Sequence, residues 1–227
     1  MASHPGPLQW AGEARAAREF LRQRTHRARL EAAPRGSSRP VVLLPGLGAS
    51  PVSMALLRRY LERIGHDARH WGQGRNGGDV EALHEAMLAE TRGIADTTGR
   101  EVSLVGWSLG GVIAREVARD APEVVRRVIT FGTPLIGPRS SFAGRLYDAE
   151  RLAEIESQIA ERDLRPITVP VTAMHSRRDG VVNWRDCIDR ITPGIENIEV
   201  TSTHFGMGVD PDVWLIVAKR LAGDAAR

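Results

Sequence analysis

The chain has one cysteine, Cys187, in 227 residues, so no intramolecular disulfide can form. It has no apolar run near the ~20 residues that a bilayer span requires, which argues against a transmembrane helix. Its N-terminus lacks the basic-then-apolar order of a secretory signal. These absences make the cytoplasm the expected compartment. Internal repeats and low-complexity tracts are also missing. The hydrophobic fraction of 42% and charged fraction of 26% are those of an ordinary globular protein, and the length suits one domain around one core.

Lysine is nearly absent too: Lys219 is the single lysine among 31 basic residues. The net charge of +3 is unevenly spread. Residues 1–40 hold eight arginines against Glu13, Glu19 and Glu31, a net +5, which leaves −2 for everything after them. A nearly neutral body has no basic face for phosphate, so nucleic acid is not an expected partner.

Along the chain, residues 8–33 carry Trp10, Ala14, Ala17, Leu21 and Ala28 at mainly helical spacing among arginines. The preferred reading is a helix packed on the body. A peripheral membrane contact through the arginine-rich face stays open as the sharper alternative. Pro34 to Pro40 then reads as a linker, giving an N-terminal segment 1–39 and a main domain 40–227.

From position 40 short apolar strands alternate with longer helical stretches, the pattern of an α/β fold with a mostly parallel sheet of about six strands and helices on both faces. Strands are expected at 41–44, 66–71, 102–105, 128–131, 171–175 and 198–201. Helices are expected near 51–64, 79–98, 109–120, 183–190 and 211–222. Ligands should gather at the carboxyl ends of the strands. The long interval of about 137–166 carries an apolar stripe at Leu152, Ile155 and Ile159. It reads as a small helical lid, with a plain crossover helix behind a long entry loop as the alternative.

The strongest chemical signal is the run from Val102 to Gly111, a strand leading into Gly106-Trp107-Ser108-Leu109-Gly110 and then a helix. A serine that must stand out at a sharp strand-to-helix turn takes strained backbone angles. Side chains at 106 and 110 would collide with the adjoining turn. The helix starting at the serine points unpaired N–H groups at any negative charge that develops there.

With this elbow in its strand and helix setting, the chain resembles the α/β-hydrolase superfamily over roughly residues 40–222, and bacterial lipases and carboxylesterases within it. The resemblance implies Ser108 as nucleophile. It implies an oxyanion loop at Pro45-Gly46-Leu47-Gly48, where relatives often have His-Gly, with the N–H groups of Leu47 and Leu109 as donors. An acid should follow the nucleophile just after a later strand, and Asp179 meets this. Asp163 is the alternative acid. The base should come last, and His204 is the only histidine beyond Asp179. His175 is read as core or secondary support. His66 and His70 share a strand with no third ligand in view, so metal is not expected there, and the reaction implied needs no cofactor.

The expected surroundings of Ser108 are apolar: Trp107, Leu135, Ile136, Phe142, Val182 and Phe205. Such a lining favours an acyl chain, and the expected partner is a small-molecule or lipid ester. Thioesterase or acyltransferase activity on the same three side chains remains an alternative. So does a non-catalytic binding module of the same fold.

Overall fold

A computed structural model describes residues 12–135, 137 and 148–223. Six strands form one sheet: β1 (Pro40–Leu44), β2 (Asp67–His70), β3 (Val102–Trp107), β4 (Val125–Phe131), β5 (Val171–His175) and β6 (Glu196–Glu199). Their order is β2-β1-β3-β4-β5-β6, and every neighbouring pair is parallel. The four central strands are buried along their whole length, as expected where helices cover both faces.

Alternation of side chains along the strands divides the core in two. Val41 and Leu43 point to one face, where they meet Leu57 and Leu61 of α3 (Ala55–Arg63) and Val213 and Val217 of α7 (Pro211–Ala222). Val42 and Leu44 point to the other, against Met87 of α4 (Val80–Thr98) and Ile113 and Val117 of α5 (Leu109–Asp120). Helix ends are set by local chemistry. The Asp79 carboxylate accepts from the Ala82 N–H at α4, Gly99 ends that helix at φ 63°, and Asp210 caps α7 just ahead of Pro211.

Several expectations are corrected, among them β4, which begins at Val125 rather than at 128. The N-terminal helix is broken, with a 3-10 turn at Glu13–Arg15, α1 (Ala16–Thr25) and α2 (Arg27–Glu31). At the break the Thr25 hydroxyl and the His26 ring both approach the Arg22 carbonyl and compete for the helical acceptor. Residues 8–11 of that expected helix lie outside the described ones.

The helix expected at 183–190 is only a 3-10 turn, Trp184–Cys187. Asp189 ends it, because its carboxylate accepts the N–H groups of Ile191 and Thr192 and meets Arg115 at 2.6 Å. Burial alone would raise the Asp189 pKa, but Arg115 and these hydrogen bonds outweigh it and pull it down to about 2.

Strand β6 starts two residues earlier than expected, since its pairing pattern uses polar residues. Asn197 exchanges hydrogen bonds with Asp189, and Glu196 pairs with Arg220. An edge strand buries one face only, so a continuous apolar run is the wrong guide to its limits.

Of the interval expected as a lid, residues 138–147 lie outside the described ones, and α6 (Ala149–Asp163) accounts for most of the rest. Its C-terminal end is tied to α5 by Arg162 to Glu116 at 3.0 Å and Arg119 to Asp163 at 3.4 Å. This is the placement of a crossover helix between β4 and β5.

Candidate active site

Ser108 stands between β3 and α5 with φ 52° and ψ −123°, one of two non-glycine residues at positive φ among those described. The strain persists because the neighbours leave no other path. A Cβ on Gly106 would lie 2.4 Å from the Gly111 Cα, and one on Gly110 would lie 2.3 Å from the Leu44 carbonyl oxygen. Strand and helix therefore approach more closely than any side chain allows, and the turn lifts Ser108 to half-buried exposure at the carboxyl edge.

The same edge holds the other two side chains. Asp179 follows β5 by four residues, and its Oδ1 accepts the N–H groups of Val181 and Val182 at 2.8 and 2.7 Å. Its Oδ2 meets His204 Nδ1 at 2.7 Å. Both groups are deeply buried, at 3% and 2% exposure. Burial of the ring opposes its protonation. The charge and hydrogen bond of Asp179, with the charge of Glu13, override this and hold the His204 pKa above the usual 6.5.

The segment after β4 joins Ser108 to this pair. The Ser108 N–H donates to the Phe131 carbonyl at 3.0 Å, and the Thr133 hydroxyl donates to the Ser108 carbonyl at 3.0 Å. Between them Gly132, at φ 59°, lies directly under the pair: a Cβ there would be 2.9 Å from His204 Nδ1 and 3.3 Å from Asp179 Oδ2. The Trp107 ring, next to Ser108, lies 5.7 Å from the His204 ring. Asp163, by contrast, sits beside Arg119, about 16 Å along α5 from Ser108 at 1.5 Å per residue. His175 ends β5 and stacks on Trp184 rather than on Asp179.

The loop after β1 closes over the serine, with Gly46 packed on it: a Cβ at 46 would lie 3.2 Å from the Ser108 Cβ. Leu47 is 40% exposed at its tip. Leu109 begins α5, so its N–H lies in the first turn, where no intrahelical acceptor exists.

Asn76, fully buried, holds this loop from outside. Its Nδ2 donates to the Pro45 carbonyl at 2.8 Å and its backbone carbonyl accepts from the Gly48 N–H at 2.8 Å. Sequence reasoning misses Asn76, although Asn76-Gly77-Gly78 is a turn signal. Replacing Asn76 by alanine strands the Pro45 carbonyl and the Gly78 N–H, so chemical denaturation should show a loss of about 2 kcal/mol.

The expected apolar surroundings divide. Phe205 is 48% exposed and packs edge-on to both His204 and Trp107. Trp107 itself is buried behind the histidine, and Val182 is buried with its amide on Asp179. Leu135 is half-buried, its N–H donating to the Asp186 carbonyl. Ile136 and Phe142 lie outside the described residues. Glu13 and Glu19, which enter the sequence reading only as charges, reach this site from the N-terminal segment.

A model of the alpha/beta hydrolase family matches residues 41–223. A pimeloyl-(acyl-carrier protein) methyl ester esterase of Aromatoleum aromaticum is 35% identical over 98 residues, 41% of this chain and 36% of that protein. The chain thus matches little more than a third of that curated relative's length. Among solved structures, lipase B of Aspergillus fumigatus superposes with a TM-score of 0.65 at 19% identity, covering 86% of this chain and 57% of that one. The mature lipase BlEst2 of Bacillus licheniformis gives 0.62 at 21% identity, covering 83% and 94%.

Proposed function

Because the chain belongs to the alpha/beta hydrolase family, we infer that it cleaves carboxylic esters of apolar acyl groups through an acyl-enzyme on Ser108. The observation that carries this reading is the 2.7 Å contact of His204 Nδ1 with Asp179 at the edge where Ser108 stands strained. Asp179 keeps the proton on Nδ1, which leaves Nε2 free to take the hydroxyl proton as Oγ attacks the carbonyl carbon. The N–H groups of Leu47 and Leu109 receive the oxyanion. Loss of one such donor costs typically ~3 kcal/mol of transition-state stabilisation, which is why the Asn76 clamp matters. His204 then returns its proton to the leaving alcohol. Water, activated by the same ring, releases the acid.

The exposed side chains of Leu47 and Phe205 support an apolar acyl group beside Ser108. The match to a methyl ester esterase supports an ester as the bond cleaved.

The test is hydrolysis of nitrophenyl esters from acetyl to long-chain acyl by the native protein and by Ser108→Ala. Equal turnover by the two proteins would end the reading. Acyl-length preference would separate a short-chain esterase from a lipase.

A pH profile adds an independent check. Only the neutral imidazole can accept the serine proton, and the His204 pKa is raised. Activity should therefore climb with pH through an apparent pKa above 6.5, rather than below it. A limb centred well under 6.5 would contradict the assignment of His204.

A further inference from the structure

Resting on that reading, we propose that Glu13 is a positioning residue that ties the loop of the acid to the loop of the base, so that the N-terminal segment completes the catalytic apparatus. One carboxylate, 7% exposed, spans both loops. Its Oε1 accepts the Gly180 N–H at 2.7 Å, next to Asp179, and the His204 N–H at 3.0 Å. Its Oε2 accepts the Phe205 N–H at 2.9 Å. Three backbone donors converge on one side chain that belongs to neither loop. Removing it leaves three N–H groups buried or half-buried without an acceptor, at the residues flanking the Asp179 to His204 contact.

The segment is built to deliver that carboxylate. From α1, Glu19 accepts the Thr203 N–H at 2.9 Å and the Thr203 hydroxyl at 2.8 Å, fixing the residue before His204. Gly206 makes room for it, since a Cβ there would fall 1.4 Å from Glu19 Oε2. One turn further on, Arg22 bridges Asp210 at 2.8 Å and Asp212 at 2.5 Å, and Gln23 donates to the Val209 carbonyl. The whole stretch from Thr203 to Asp212 is thereby strapped to α1.

The arrangement also acts on charge. The titratable groups facing His204 are Asp179 from the loop after β5 and Glu13 from the N-terminal turn. Glu19 bonds the adjoining Thr203, and the Cys187 thiol lies near Asp179 with its pKa raised by burial. Glu13 adds a second negative charge that favours the imidazolium formed during attack. Loss of it lowers the His204 pKa while displacing both loops.

The experiment compares the native full-length chain, Ser108→Ala, Glu13→Gln and Glu13→Asp on a short nitrophenyl ester across pH, with melting curves alongside. Glu13→Gln keeps the size but turns an amide NH2 towards backbone donors. Its kcat should fall roughly 10- to 100-fold, with KM within about twofold and the acid limb moved to lower pH. Glu13→Asp restores the charge with a shorter reach, so the acid limb should return to its native position with kcat still reduced.

Ser108-dependent turnover in the native chain, with Glu13→Gln matching it in kcat and acid limb, would overturn the inference and leave the esterase reading standing. A fall in melting temperature with an unmoved acid limb would also overturn it, as a purely structural role. If Glu13→Gln does not fold, native kcat in Glu13→Asp overturns the proposal and reduced kcat with a native acid limb supports it. Absence of Ser108-dependent turnover in the native chain defeats the esterase reading itself, and the positioning role with it.

Discussion

Substituting Ser108 by alanine should lower kcat for ester hydrolysis by roughly five to six orders of magnitude, the scale seen when a serine nucleophile acting as a unit with its base is removed. The fold should survive. The strain at φ 52° comes from the Cβ and the chain around it, and alanine keeps the same Cβ, so the melting temperature should stay close to the native one. Glycine tolerates positive φ, so Ser108→Gly should be equally inactive and more stable by about 1 kcal/mol. Activity would be measured with a nitrophenyl ester and stability by thermal melting on the same preparations. If Ser108→Ala kept a tenth of native turnover, the nucleophile would have to lie elsewhere.

Asp179→Asn should reduce kcat by about 10⁴-fold, and the surroundings of Asp179 say why. Its Oδ1 already accepts the Val181 and Val182 N–H groups, so the amide oxygen of asparagine must face them. The NH2 is then forced towards His204 Nδ1, 2.7 Å from the displaced oxygen. A donor there makes Nδ1 an acceptor and puts the ring proton on Nε2, where it blocks uptake of the serine proton. Loss of a charged hydrogen bond should also cost about 2 kcal/mol of stability. Single-turnover kinetics with denaturant titration would read both effects. A drop of only tenfold would mean that Asp179 does not orient the base.

Glu13→Gln is expected to act more mildly, because it shifts groups that remain present. That ordering of the three substitutions follows from the role proposed for each: supplying the attacking oxygen, setting the tautomer of the base, and holding the backbone that carries acid and base.

Much of the fold is legible along the chain. The limits of β5, α5 and α7 coincide with the expected ones, because apolar periodicity and capping residues act within a few positions of one another. The collisions that require Gly106 and Gly110 are equally local. Two of the failures fall where a partner outside the element decides. Asp189 breaks the helix expected at 183–190 because Arg115, 74 positions away, fixes its carboxylate. Strand β6 shifts because Asn197 and Glu196 have partners outside the strand.

The candidate site divides in the same way. Ser108, Asp179 and His204 are chosen by residue type, chain order and the strands they follow, and type and order are visible in a sequence. Glu13 and Glu19 are not, since their partners are backbone N–H groups, which every residue but proline offers and no letter marks. Separations of 167 and 191 positions carry no local trace. The layered α/β plan, the strained turn and the candidate side chains can be read along the chain, because steric exclusion, hydrophobic period and residue type are local properties. That the arginine-rich N-terminal segment sends a carboxylate to the amides of Gly180, His204 and Phe205 is a tertiary fact, because those bonds exist only once residues far apart in the chain have been brought together.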